Sequence, residues 1–100
     1  MTDPSAELAR LVSLVDAFAG RRVLVVGDFL ADEFIYGRVA RVSREAPVLI
    51  LEHDSTQIVA GGAGNAANNV AALGATALAV GIVGDDDVGK RLVKSLHPRV

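Results

Sequence analysis

The fold is decided by residues 58–84, which read IVAGGAGNAANNVAALGATALAVGIVG. Asn65 to Leu73 has the composition of a helix, and Gly74 closes it because glycine tolerates the backbone conformation that ends helices. Thr76 to Val83 is a continuous apolar run ending at Gly84, which is typical of a strand buried on both faces of a parallel sheet. A helix followed by such a strand is the repeating unit of α/β proteins.

The same alternation continues on both sides of this stretch. Arg22 to Asp28 is a second short apolar run, and it predicts another parallel strand whose carboxyl end opens onto a site. Downstream, Asp86 or Asp87 is placed to cap a last helix that continues through Leu96. Strand and helix therefore alternate, which predicts a layered α/β architecture.

An amphipathic helix is predicted ahead of the first strand, from Asp3 to Gly20. Asp3 can cap it, and Pro4 suits its first turn. We expect its apolar face to pack on a core. That face carries Leu8, Leu11, Val12, Val15 and Phe18.

Residues 29–52 interrupt the alternation and predict a separate small sheet. Phe34 to Tyr36 and Arg38 to Val42 read as short strands, and Val48 to Glu52 as a further one. Gly37, Ser43 and Pro47 punctuate the segment.

Composition limits the classes of function that this chain could have. The chain has 100 residues, 51% of them hydrophobic but only 4% aromatic, and a net charge of −2. One domain is the most that this length allows. Without a basic cluster, a nucleic-acid or membrane-surface role has little support. The absence of cysteine and the lack of a signal sequence at the amino terminus lead us to expect a cytoplasmic protein.

Two glycine-containing turns resemble nucleotide-binding loops without the necessary chemistry. The turn from Gly27 to Asp32 has one glycine and two carboxylates, which would repel a pyrophosphate. The turn from Gly84 to Lys90 has P-loop spacing, but Arg91 replaces the Ser or Thr that holds magnesium, and three aspartates oppose a phosphate. Adjacent aspartates also lack the ligand spacing of a calcium loop. We therefore read the second turn as a helix start capped by an aspartate.

The candidate site lies at the glycine-rich turn of residues 61–69. Glycines let a ligand approach the backbone closely, and the following helix begins with free amides. Asn65 offers a donor and an acceptor, which suits hydroxyl recognition. Taken alone, this turn fits a structural role and a binding role equally well. Asp28 and Asp32 favour binding, because they follow a strand's carboxyl end and carboxylates can accept hydrogen bonds from vicinal hydroxyls.

At these positions the chain resembles the PfkB carbohydrate kinases. The residues that carry the resemblance are Gly61, Gly62, Asn65, Ala67, Gly74 and Gly84, together with the Gly27–Asp32 turn. Residues 36–48 further resemble the heptose-7-phosphate kinases of lipopolysaccharide precursor synthesis. They contain a Tyr-Gly pair and the run Arg-Val-Ser-Arg-Glu-Ala-Pro-Val. Two positions differ from these kinases: Arg44 in this run stands where Pro is usual, and Gly64, outside it, stands where Ala is frequent.

The resemblance implies a ribokinase-like fold, with residues 1–100 as the amino-terminal part of a doubly wound sheet and residues 29–52 within a small β lid. That lid would close over the sugar and could pair two subunits in a homodimer. It also implies that Asp32, Gly61, Gly62 and Asn65 contact a sugar or sugar phosphate, and that the full-length kinase uses ATP and Mg²⁺. Asp28 joins these substrate-binding candidates because of its place after the first strand.

The family's catalytic G-A-G-D run is not in this sequence. The resemblance therefore implies that the ATP-binding and catalytic half is absent, that this chain binds neither ATP nor Mg²⁺, and that it is inactive by itself. No catalytic or metal-binding residue is assigned. A non-catalytic sugar-binding or dimerisation module, or a fragment of another PfkB-type sugar or nucleoside kinase, stays open as an alternative.

Overall fold

The computed structural model describes residues 3–100, which form three helices and four strands in α/β order. The sequence prediction of this fold class is confirmed. The elements are α1 (Pro4–Asp16), β1 (Arg22–Val26), β2 (Phe29–Val42), β3 (Leu49–Gly62), α2 (Ala63–Ala72), β4 (Thr76–Val80) and α3 (Asp87–Lys94).

The strands β1 and β4 form a two-stranded parallel sheet that is covered by α2. Their register runs from Arg22 opposite Thr76 to Val26 opposite Val80. The predicted strand to Val83 is therefore too long, because pairing ends where β1 ends. The buried residues of α2 are Gly64, Ala67 and Ala71, whose small size lets the helix lie close to the sheet.

The strands β2 and β3 form an antiparallel hairpin that is longer than the lid predicted from the sequence. Each strand has 14 residues, and pairing runs from Phe29 opposite Gly62 to Val42 opposite Leu49. The predicted strand end at Glu52 and the division of β2 into short strands were both wrong. Register shifts at Tyr36/Gly37 and Val39/Arg41 break the alternation without ending the ladder, and residues 53–62 pair back along β2.

The helix α1 begins as predicted and ends earlier. Asp3 caps it, since the carboxylate accepts a hydrogen bond from the Ser5 amide at 3.0 Å, and Pro4 follows in the first turn. The helix stops at Asp16, and Gly20, with φ of 80°, ends the turn that follows. Its apolar face does not pack on a core as expected: Leu8 is 63% exposed, and within residues 3–100 α1 lies against no other helix or strand.

The core is small, and the shape is extended. Among residues 3–100, seven apolar residues are buried, five of them alanines: Ile58, Ala60, Ala67, Ala71, Ala75, Ala77 and Leu92. The radius of gyration is 20.3 Å, against about 13 Å for a compact chain of this length. The accessible surface is 7569 Å², against about 5400 Å² for a compact monomer of this mass. Large apolar areas are therefore open to further contacts. Within residues 3–100, no helix combines the length and the apolar character that crossing a membrane requires.

Candidate functional site

The site begins at Gly62, which is the last residue of β3 and the cap residue of α2. Its φ of 58° and ψ of −129° are accessible to glycine and strained for other residues. A Cβ at this position would lie 2.5 Å from the main-chain oxygen of Asp28. That oxygen accepts a hydrogen bond from the Ala63 amide at 2.8 Å. The first amide of α2 is therefore held by the residue that follows β1, which fixes the helix start beside the strand ends.

Glycines allow the main chain to pack closely around Phe29. A Cβ at Gly64 would lie 3.2 Å from Cδ1 of Phe29, and a Cβ at Gly81 would overlap the other side of the same ring. Gly27 is similarly close to α2, since a Cβ at Gly27 would lie 3.2 Å from the Ala63 Cβ. The ends of β1 and β4, the base of the hairpin and the start of α2 therefore meet at this ring.

Asp32 lies over Gly61. Asp32 is opposite Val59 in the hairpin, and its side chain leans along the partner strand towards Gly61. A Cβ added at Gly61 would overlap the carboxylate and lie 2.8 Å from its Cγ. Gly61 itself is buried, whereas Asp32 is exposed. The glycine therefore leaves room for a carboxylate that faces solvent at the base of the hairpin.

Asn65 is the third residue of α2, four residues after Gly61, and it is exposed. Its amide group can donate and accept hydrogen bonds. Because intrahelical bonds start only after the first turn, the main-chain amides of Gly64 and Asn65 have no acceptor within the helix. Asp32 and Asn65 thus flank the same turn, one on the hairpin and the other on the helix.

Asp28 occupies a different position from the other four predicted residues. It lines an open cavity of about 320 Å³ at the carboxyl ends of β1 and β4, together with Gly27, Gly81 and Ile82. Asp32, Gly61, Gly62 and Asn65 lie outside that cavity. The connection between the two groups is the main-chain bond from Ala63 to Asp28. The five residues therefore share one region of the molecule without lining a common cavity.

The acidic turn before α3 is a capped helix start, as predicted. The Asp86 carboxylate accepts a hydrogen bond from the Gly89 amide at 2.8 Å. Gly89 is buried against the Gly84 carbonyl, where any Cβ would overlap the oxygen. The Asp86 side chain thus accepts the hydrogen bond from the Gly89 amide, which a bound phosphate would need. In the part of the chain that the structure describes, no group of three side chains is placed to hold a metal ion.

Sequence reasoning missed the role of Asn68, which joins α2 to the end of α3. Its Oδ1 accepts from the His97 amide at 2.8 Å, and its Nδ2 donates to the Ser95 carbonyl at 3.4 Å. Asn68 was visible only as one of several polar residues in an Ala-rich helix. Its partners follow 27 and 29 positions later, so no local pattern could have identified them.

Comparison with known proteins identifies the family of the chain. The model of the pfkB family carbohydrate kinases matches residues 21–99. The chain is 54% identical over 82 residues to the bifunctional protein HldE of Caulobacter vibrioides, and 50% identical over 84 residues to that of Bradyrhizobium diazoefficiens. These matches cover 82% and 84% of this chain, and 17% of each relative.

The chain therefore belongs to the pfkB family of carbohydrate kinases. The resemblance drawn from the sequence is confirmed, and with it the assignment of an α/β, ribokinase-like fold. The chain spans about one sixth of the length of the curated relatives that it matches. Kinases of this family use ATP and Mg²⁺ as full-length proteins. The acidic turn at Gly84–Lys90 does not fit ATP phosphates, because Asp86 already takes the Gly89 amide.

Proposed function

We propose that this chain is the sugar-binding portion of an ATP-dependent kinase that phosphorylates heptose 7-phosphate during synthesis of lipopolysaccharide heptose precursors. The observation that carries the proposal is the Asp32 carboxylate over Gly61, beside the helix start that bears Asn65. The similarity to proteins named HldE and the Arg41–Val48 run support the heptose acceptor.

The chemistry of the site suits a polyol. A carboxylate can accept hydrogen bonds from two neighbouring hydroxyls at once, and the Asn65 amide can accept from one hydroxyl while donating to another. Together they would orient the sugar with its anomeric hydroxyl towards the phosphate donor. Gly61 leaves the space that the Asp32 carboxylate occupies, and Gly62 provides the turn into α2. Asp28 would contribute from the strand ends. The expected role of these residues is to bind and orient the acceptor.

We assign ATP, Mg²⁺ and the catalytic base to parts of the kinase outside this segment. The protein would work in the cytoplasm, where ATP is available. The segment alone would bind sugar without transferring phosphate.

The test uses a chimera, in which this chain replaces the segment of Caulobacter vibrioides HldE that it matches. We expect the chimera to phosphorylate heptose 7-phosphate with ATP. Asp32→Ala should lower kcat/KM for the sugar by about 100-fold, because the acceptor loses its orienting carboxylate. The control is Glu33→Ala, which removes the neighbouring carboxylate from the opposite face of β2 and should change kcat/KM less than about twofold.

Three results would contradict the proposal. Unchanged kinetics for Asp32→Ala would remove this carboxylate from the site. A folded chimera that binds the sugar without phosphorylating it would favour the alternative of a non-catalytic sugar-binding module. Activity on ribose, fructose or a nucleoside in preference to heptose 7-phosphate would point to another kinase of the same family.

We further propose that the outer part of the hairpin pairs two copies of the chain. Val39 is opposite Leu51 and Val42 is opposite Leu49, so each strand contributes apolar side chains to this end of the hairpin. Each is between 58% and 61% exposed. Leu51→Lys in the chimera should convert a dimer to a monomer in analytical ultracentrifugation. Glu52→Lys, on the other face, is the control and should leave the dimer intact.

A further inference from the structure

The Asn68 side chain connects α2 to the end of α3 through two hydrogen bonds to the main chain. Asn68 uses both ends of its side-chain amide: Oδ1 accepts from His97, and Nδ2 donates to Ser95. Ser95 is the carboxyl-terminal cap of α3, so no amide of that helix donates a hydrogen bond to its carbonyl. Asn68 is partly buried. A single residue of α2 therefore satisfies two main-chain groups of the segment that follows α3.

The remaining packing of α2 does not fix its orientation as tightly. Its buried face consists of Gly64, Ala67 and Ala71. Such small residues allow close approach, but they have no side chains long enough to interlock and resist sliding. Directional hydrogen bonds supply that restraint, because their energy falls steeply with misalignment. At the first turn the restraint is the Ala63–Asp28 bond, and one turn later it is Asn68.

Asn68 lies three residues after Asn65, so the two side chains project from adjacent turns on the same side of α2. A small rotation of the helix about its axis would move both. From this geometry we propose that Asn68 is a positioning residue for sugar binding, which holds α2 in the rotation that presents Asn65 to the acceptor. The inference rests on the proposed function.

The experiment uses the chimera and a matched pair of variants. Asn68→Ala and Asn69→Ala change the same residue type at neighbouring positions of one helix, so their effects on helix propensity are equal. Asn69 is exposed, is not one of the five residues proposed to contact the sugar, and is not part of the Asn68 contact. Asn68→Ala should raise KM for heptose 7-phosphate by about tenfold and leave KM for ATP unchanged. Asn69→Ala should change neither constant.

A double-mutant cycle separates positioning from a general loss of stability. If Asn68 acts through Asn65, Asn68→Ala should raise the sugar KM less than about twofold when Asn65 is already Ala. All assays are run well below the melting temperature of each variant. Independent, additive effects of the two substitutions would overturn the proposal. So would a lower melting temperature for Asn68→Ala with an unchanged sugar KM.

Hydrogen exchange provides a readout that does not depend on catalysis. Asn68→Ala should speed exchange of the hydrogen-bonded amides of Ala63, Ala66 and Ala67, and Asn69→Ala should not. Unchanged exchange in that turn would overturn the inference even if the parent chimera were inactive. An inactive parent chimera with faster exchange for Asn68→Ala would count against the proposed kinase function and leave the structural link between Asn68 and the Asn65 turn supported.

Discussion

The starts of α2 and α3 differ in how the amides of their first turns are satisfied. Both follow a glycine-containing turn, and both could be read as loops for an anionic or polar ligand. At α3, the Asp86 side chain takes the Gly89 amide, and Gly89 is buried against the Gly84 carbonyl. At α2, Gly62 provides no side-chain cap. At α3 a side chain therefore takes an amide of the helix start, whereas at α2 the main chain of Asp28 holds the Ala63 amide and Gly62 adds no side-chain cap.

The difference teaches that glycine spacing alone does not identify a binding loop. What matters is whether a side chain of the protein already satisfies the amides at the helix start. The three aspartates at residues 85–87 supply such a side chain. The Gly61–Asn65 turn has no carboxylate of its own, and the nearest one, Asp32, comes from the hairpin and lies over Gly61.

The largest expected effect comes from filling the space under Asp32. Gly61→Ala should lower kcat/KM for the sugar by about 100-fold in the chimera, because its Cβ would displace the Asp32 carboxylate. The unfolding midpoint should change little, since the carboxylate can move into solvent. Steady-state kinetics and thermal unfolding of the same sample measure both. A normal kcat/KM would mean that the position of Asp32 is unimportant.

The corresponding glycine substitution at the start of α3 should lower the stability of the protein and leave sugar binding unchanged. Gly89→Ala places a Cβ against the Gly84 carbonyl, which belongs to the main chain and cannot move aside easily. We expect a loss of about 2–3 kcal/mol in the free energy of unfolding, as for other overpacked sites. The sugar KM of the protein that remains folded should stay within about twofold. A selective rise in KM without loss of stability would mean that this turn contacts a ligand.

A smaller effect is expected from removing the cap of α3. Asp86→Ala should lower the free energy of unfolding by about 1 kcal/mol, because the Gly89 amide loses its acceptor. Asp85→Ala is the control and should stay within about 0.5 kcal/mol, because Asp85 does not cap the helix. Chemical denaturation of the two variants provides the comparison. Equal losses would contradict the assignment of Asp86 as the cap.

The parts of the fold that could be predicted are those set by neighbouring residues. The caps at Asp3 and Asp86, the end of α2 at Gly74 and the parallel strands all follow from local patterns. The hairpin could not be predicted to its full length, because its inner half depends on Phe29 pairing with Gly62, 33 positions away. The exposure of α1 was also missed, since periodicity indicates an apolar face but not what covers it.

The candidate site was predictable as a set of residues and not as an arrangement. Residue types indicated Asp28, Asp32 and Asn65, and the family match supports the carbohydrate kinase class. Only the three-dimensional structure reveals that Asp28 lines a cavity apart from the other residues, and that Gly61 makes room for Asp32. Asn68 could not be recognised in advance, because its partners lie on another element.

The most direct measurement is a crystal structure of the chimera with heptose 7-phosphate bound. Sugar hydroxyls should lie within hydrogen-bonding distance of both the Asp32 carboxylate and the Asn65 amide, with the main chain of Gly61 and Gly62 against the ring. If the sugar is instead bound at the acidic turn before α3, or contacts neither of those side chains, then the open helix start is not the acceptor site.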